Sequence, residues 1–184
     1  MAQVLDAIDD RLATWIESQP VFFVATAPLA AQGHVNVSPR GHDCLSVLGP
    51  HRVAWVDLTG SGAETIAHLR ENGRICVMFC AFWGPPKIVR LHGAGQVLTR
   101  GDPGYDEVVA AHPEHPSTRA VITVAVERIS DSCGFGVPLM DMVGERDLLR
   151  RSAERRGPEG LESYRAERNA VSIDGLAAMD PTVG

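Results

Sequence analysis

A small antiparallel β-barrel with peripheral helices is the fold that the sequence predicts, on three observations. Short apolar or alternating runs recur between residues 21 and 129, punctuated by Gly, Pro and Asn. A single longer helical pattern, ETIAHLREN, interrupts them. Further helical patterns lie at the ends of the chain.

Taken in order, Val4 to Ser18 reads as an amphipathic helix, with Val4, Leu5, Ile8, Leu12, Trp15 and Ile16 at helical spacing and Pro20 ending it. VFFVAT at 21–26 is a compact strand, and HVNVSP at 34–39 alternates strictly, so a hairpin across PLAAQG follows. CLSVL at 44–48 and RVAWVDL at 52–58 form the next pair, turned at Gly49-Pro50. A helix runs from Thr59 to about Asn72, with Ile66 and Leu69 inward and Gly73 as its left-handed C-cap. RICVMFCAF is a strand apolar on both faces, which implies cover on both sides. Gly93 and Gly95 inside KIVRLHGAGQVL, 87–98, mark a bulge or a sharp barrel bend. Asp102 caps a short helix to Ala111 with Pro103 at its first position, and AVITVAVERI, 120–129, is the last strand. Six strands then make the barrel, in a unit spanning 1–130. Residues 131–184 form a Gly-rich loop, helices at about 145–156 and 158–169, and a tail, all packed on the same domain or on a partner subunit.

At 184 residues the chain suits one domain, and 45% apolar with 22% charged residues is an ordinary globular composition. A net charge of -6 disfavours nucleic acid, which requires clustered Lys and Arg. Asp6, Asp9, Asp10 and Glu17 stand where a signal peptide would be basic and then apolar, and no run approaches the ~20 apolar residues of a membrane span. A cytoplasmic protein without a membrane partner is the expectation. Cys44, Cys76, Cys80 and Cys133 lack zinc-like spacing; Cys76 and Cys80 read as small buried apolar residues, and no metal site is expected.

The stretch VDLTGSGAETIAHLRENGR, from Val56 to Arg74, runs from a strand through a Gly-rich loop into a helix, a geometry that favours an anion. Two readings stay open. Thr59, Ser61 and Thr65 could give hydroxyls to a phosphate, or Ser61 could cap the helix with Glu64 completing an S-x-x-E box. The loop holds no basic residue, so Arg40 and Arg90 would have to bring the charge from neighbouring strands. In HVNVSPR, His34, Asn36 and Ser38 share a face that is either a solvated edge or a polar shelf leading to Arg40. Arg90 with His92 is either a surface pair or part of a ligand site. HPEH at 112–115, bracketed by Pro113 and Pro116, reads as a solvated turn, and Cys133 is either an exposed reactive thiol or a buried one. Trp83 and Phe135 could lie over a planar ligand or anchor loops.

The ordered set VNVSPRG on strand two, VDLTGSG closing strand four and ENGRICVMF opening strand five resembles the pyridoxamine 5'-phosphate oxidase-like, FMN-binding split-barrel family over about residues 5–130. SCGFGVPLMDMVGERD is similar to one flavin-dependent branch of it. The resemblance implies a homodimer with flavin mononucleotide (FMN), or a deazaflavin coenzyme, at the subunit interface. Ser38, Pro39 and Arg40 match its strand-two segment, Thr59, Gly60, Ser61 and Thr65 its phosphate loop, and Arg90 a basic position on the following strand. Glu64 and Thr65 stand where the authentic oxidases carry a basic pair, and the tail SIDGLAAMDPTVG lacks their Arg-rich substrate motif. A flavin-dependent oxidoreductase acting on a small organic substrate other than pyridoxamine phosphate is therefore expected, with its catalytic residues unassigned. The alternative is a non-catalytic binder of flavin, deazaflavin or haem.

Overall fold

The computed structural model describes residues 3–179. The last five residues of the C-terminal tail expected from the sequence lie outside that range.

The strands are β1 (Gln3–Leu5), β2 (Phe22–Thr26), β3 (Asn36–Arg40), β4 (Leu45–Gly49), β5 (Arg52–Leu58), β6 (Arg74–Cys80), β7 (Ile88–Leu98) and β8 (Thr118–Ser132). They form one antiparallel sheet in the order β3-β2-β6-β7-β8-β5-β4, with β1 added to β8. The sheet curls on itself. Phe22 of β2 and Trp55 of β5 have three strands between them in the sheet, yet their rings meet edge to face at 5.7 Å. Trp55, Phe79, Leu91 and Ile122 are fully buried in the interior, and burying each such side chain contributes about 1.5–3 kcal/mol.

The sheet has eight strands instead of six. Each of the seven strand-type runs in the sequence pairs as a strand of its own, and β1 arises where a helix was expected. Val4 and Leu5 face Ser130 and Ile129, because the end of β8 runs past β5, whose pairing stops at Ala125, and needs another partner. The helix α1 starts only at Asp10 (Asp10–Glu17), where Asp9, with extended backbone, accepts from the Leu12 N–H at 2.7 Å.

Other boundaries follow the pattern more closely. The hairpins β2–β3 and β4–β5 form as expected. Helix α2 (Glu64–Asn72) buries Ile66 and Leu69 and ends on Gly73 at φ 71°. β7 breaks register against β8 between His92 and Gly93, and a Cβ on Gly93 would sit 1.9 Å from the Ala125 carbonyl oxygen, so only glycine fits there. β6 is covered fully on one face only, with Cys76 and Met78 half-buried on the other. Helix α3 (Tyr105–Ala110) starts later than predicted, because the Asp102 carboxylate is taken by the Thr99 N–H (2.7 Å) and hydroxyl (2.9 Å). The C-terminal helix α4 (Leu148–Arg168) breaks at Gly157, φ 65° and ψ 177°, giving the two helical pieces that the sequence predicted.

Candidate functional site

The loop Thr59–Ala63 joins β5 to α2, and no capping box closes it. Ala63 is the N-cap, without a side-chain hydrogen bond, and Glu64 is the first helical residue where the S-x-x-E pattern needed it at the third. Ser61 is exposed, and the Glu64 carboxylate turns away to accept from the Ile173 N–H at 3.1 Å. The first-turn amides of α2 are thus left without a side-chain cap.

Strand β3 turns Asn36, Ser38 and Arg40 inward, half-buried, and its valines outward, while His34, just before the strand, stays exposed, so only part of the predicted polar row forms a shelf. Asn36 donates to Thr65 Oγ1 (3.2 Å) and Ser38 donates to Asn36 Oδ1 (3.2 Å), a chain of contacts that ties β3 to the start of α2. Val35 and Val37 are 71% and 62% exposed, and this leaves an apolar outer face.

Arg40, next on the inner row, meets Asp57. An aspartate inside the apolar run VAWVDL is fully buried and needs positive charge: Arg40 Nη2 lies 3.0 Å from Oδ1 as an ion-pair contact, and Arg119 Nε donates to Oδ2 at 2.7 Å. Burial alone would raise the Asp57 pKa, but the Arg40 and Arg119 charges hold it below the ordinary carboxylate value. Arg119 also donates to the Gly62 carbonyl (3.0 Å) and to Asn169 Oδ1 (2.8 Å). The Nε of Arg40 is buried without a partner.

From the far end of the chain, α4 covers the front of the loop. Arg165 Nε donates to Thr59 Oγ1 at 2.9 Å, while that hydroxyl donates to the Ser117 carbonyl at 2.8 Å. Asn169 Nδ2 donates to the Gly60 carbonyl at 3.1 Å. Beyond it, Asp174 accepts from the His34 backbone N–H (2.8 Å) and pairs with His34 Nδ1 (2.7 Å).

Four of the sequence-predicted residues therefore gather around the start of α2: Ser38, Thr59, Gly60 and Thr65; Arg40, on the same inner row of β3, meets Asp57, two residues before Thr59. Ser61 belongs to the same loop and faces outward. Pro39 and Arg90 lie elsewhere. Directly opposed residues of antiparallel strands share a face, and the row Pro39–Phe23–Met78–Arg90 runs along the outer side of β3, β2, β6 and β7. Three strand spacings put Arg90 about 14 Å from Pro39 along that row. Its Nη1 is 3.3 Å from Ser132 Oγ.

On the face of β5 opposite Asp57 opens a cavity of about 340 Å³, floored by Cys44, Val56 and Leu58 and walled by the HPEH turn and residues 145–150. The turn is not simply solvated, as its sequence implied. His112 contacts Ser46 Oγ and the Asp43 carbonyl, both at 3.0 Å, and His115 Nδ1 contacts Ser117 Oγ at 2.7 Å. The His42 ring stands 5.8 Å from that of His115, with its Nδ1 3.4 Å from Glu145 Oε2. Burial pushes the Cys44 thiol up to about 12, against the pull of Arg40. Among the described residues no set of three His, Cys, Asp or Glu side chains is placed to hold a metal ion, and no helix is long and apolar enough to cross a membrane.

The sequence model described as pyridoxamine 5'-phosphate oxidase matches residues 8–133. A pyridoxamine 5'-phosphate oxidase family protein of Aspergillus flavus, ustO, is 40% identical over 191 residues, covering 95% of this chain and 76% of that relative. The chain belongs to the pyridoxamine 5'-phosphate oxidase family. HupZ of Group A Streptococcus shares the fold at TM-score 0.52 and 21% identity, over 66% of this chain and 91% of that one. So does a Lactobacillus delbrueckii protein of pyridoxamine 5'-phosphate oxidase type, at TM-score 0.52 and 17% identity over 69% and 98%.

Within this family member, sequence reasoning missed Asp57, Arg119, Arg165 and Asn169. Asp57 carried a signal, because a carboxylate in a barrel strand requires a basic partner on the neighbouring strand, and the register sets β5 against β8 there. Arg165 and Asn169 carried none.

Proposed function

We propose that the protein is a flavin-dependent oxidoreductase that binds FMN, or a deazaflavin, in a soluble homodimer of the cytoplasm and acts on a small organic substrate. The observation that carries this reading is an uncapped α2 N-terminus tied to the inner row of β3, whose half-buried Arg40 has an Nε without a partner, in a chain of the pyridoxamine 5'-phosphate oxidase family. Helix-start amides and a guanidinium are the donors that a phosphate monoester takes. Gly60 has no atom within 4 Å of where a Cβ would stand, so backbone can approach an anion there. The residues therefore fit the group.

Arg40, the exposed Ser61 and the amides of Glu64 and Thr65 would hold the phosphate, with Ser38 and Asn36 fixing Thr65 behind them. Thr59 and Gly60 would shape the loop from beneath, since Arg165 and Asn169 already occupy their polar atoms. Bound flavin would supply hydride chemistry; the chain supplies orientation and a shielded wall. Pro39 and Arg90 lie on the outer face with exposed Val35 and Val37 and half-buried Phe23 and Met78, the surface that suits a second copy of the chain and would bring Arg90 to the interface.

Visible absorbance of the purified protein after incubation with FMN or deazaflavin, followed by anaerobic addition of NAD(P)H, tests this. Stoichiometric flavin that bleaches and recovers with an acceptor is the expected result. Tight flavin inert in both directions would reassign the protein as a binder, and no retained flavin would overturn the reading.

A further inference from the structure

Glu64 stands at the first helical position of α2, beside the amides that the proposed flavin phosphate would take, and its charge is the wrong sign for that place. Among the described residues no Lys or Arg pairs with it. The carboxylate lies close to the loop, since a Cβ on Gly62 would stand 3.4 Å from Glu64 Oε1. A free carboxylate in the first turn of a helix is drawn to the unpaired N–H groups and the positive dipole end. It would compete with a phosphate for the same donors.

The far end of the chain keeps Glu64 aside. The Ile173 N–H donates to Glu64 Oε2 at 3.1 Å. That N–H belongs to a closed turn, in which the Gly175 N–H donates to the Ser172 carbonyl at 3.0 Å, the Leu176 N–H donates to Ser172 Oγ at 3.1 Å, and Val171 bridges Ala177. Both flanks of the turn are pinned. Asp174 holds His34 ahead of β3, and the fully buried Asn169 ties the Gly60 carbonyl to Arg119. Ala178 is fully buried as well, which packs the segment in place.

We propose that the turn at residues 172–175 is a positioning element for phosphate binding. The Ile173 N–H holds the Glu64 carboxylate to the side of the α2 start, and without that bond the carboxylate takes the first-turn amides in competition with the phosphate. The phosphate itself rests on the flavin-dependent reading above; the placement of Glu64 rests on the Ile173 contact and the uncapped helix start.

Ile173 occupies the second position of its turn, where proline is favoured, so Ile173→Pro removes the N–H and keeps the turn. Titration of the flavin-free, full-length protein with FMN, and with riboflavin, which lacks the phosphate, tests the proposal. Amide exchange at residues 64–66 is followed in the same variants without ligand. Ile173→Pro is expected to weaken FMN binding about tenfold, as release of one hydrogen bond to a charged group implies, and to leave riboflavin unchanged. In a Glu64→Ala background the same substitution should cost FMN nothing. Asp174→Ala, which frees the turn from His34 and keeps the Ile173 N–H, should act in the same direction by a smaller factor, again only while Glu64 is present. Without ligand, Ile173→Pro should slow exchange at residues 64–66 severalfold, and the double variant with Glu64→Ala should not. FMN affinity unmoved by Ile173→Pro, an equal loss of FMN and riboflavin, or a loss of FMN undiminished by Glu64→Ala overturns the proposal and leaves the flavin reading standing. Wild-type protein that binds neither flavin rejects the flavin reading, and the exchange pattern then decides alone: slowing that depends on Glu64 upholds its placement by the turn, and unchanged exchange overturns it.

Discussion

The loop that opens α2 and the cavity at the HPEH turn both lie at the end of β5, and they treat their polar atoms differently. At the loop, Thr59, Gly60 and Gly62 are tied to Arg165, Asn169 and Arg119, so most hydrogen-bonding capacity is spent inside the chain. At the cavity, His115 keeps a buried Nε2 without a partner. A satisfied network holds backbone in place, whereas a buried polar atom left without a partner costs stability. Arg40 belongs to both behaviours, with Nη2 on Asp57 and Nε free. In the proposed flavin site that division makes Arg40 the link between the buried network and the phosphate.

The comparison breaks most readily at Asp57. Asp57→Asn leaves two guanidinium groups facing a neutral amide and should cost about 3–5 kcal/mol of stability in urea denaturation. A loss below about 1 kcal/mol would mean that the network does not hold the loop. The pH dependence has a fixed sign. Because the folded Asp57 pKa is depressed, its contribution is complete above the unfolded value of about 3.9 and is lost as pH falls through the lower folded value. The Asn variant should lack that acid-side decline.

Arg165→Ala should have a smaller effect, about 2 kcal/mol, because Thr59 keeps its bond to Ser117 while its hydroxyl and the Thr118 carbonyl each lose a donor from α4. Amide exchange over residues 59–63 should quicken in that variant. The smallest effect is expected at the exposed His34–Asp174 pair. His34→Ala should leave the denaturation midpoint within error and raise amide exchange only in residues 171–177, and a global rise would show that the tail carries the barrel.

Much of the barrel was legible because strand alternation and turn residues are local signals. Gly73, Gly93 and the Gly49-Pro50 turn each marked a backbone event that the structure contains. Val4 and Leu5 misled, since apolar residues at those positions fit a helix as well as a strand, and the deciding partners, Ser130 and Ile129, lie more than a hundred residues away. The same distance hid the α4 cover, as the Arg165–Thr59 contact spans 106 residues. The HPEH turn looked solvated because its own prolines say only that a helix ends there. What makes it a wall is Ser46 and Asp43, brought to His112 by the β3–β4 connection.

Arg40→Ala provides the most direct measurement, with flavin retained after gel filtration set beside the melting temperature of the same sample. The account predicts that flavin binding falls by at least about tenfold, as loss of a charge-assisted contact implies, while the barrel still melts cooperatively. Undiminished flavin retention in that variant would contradict it.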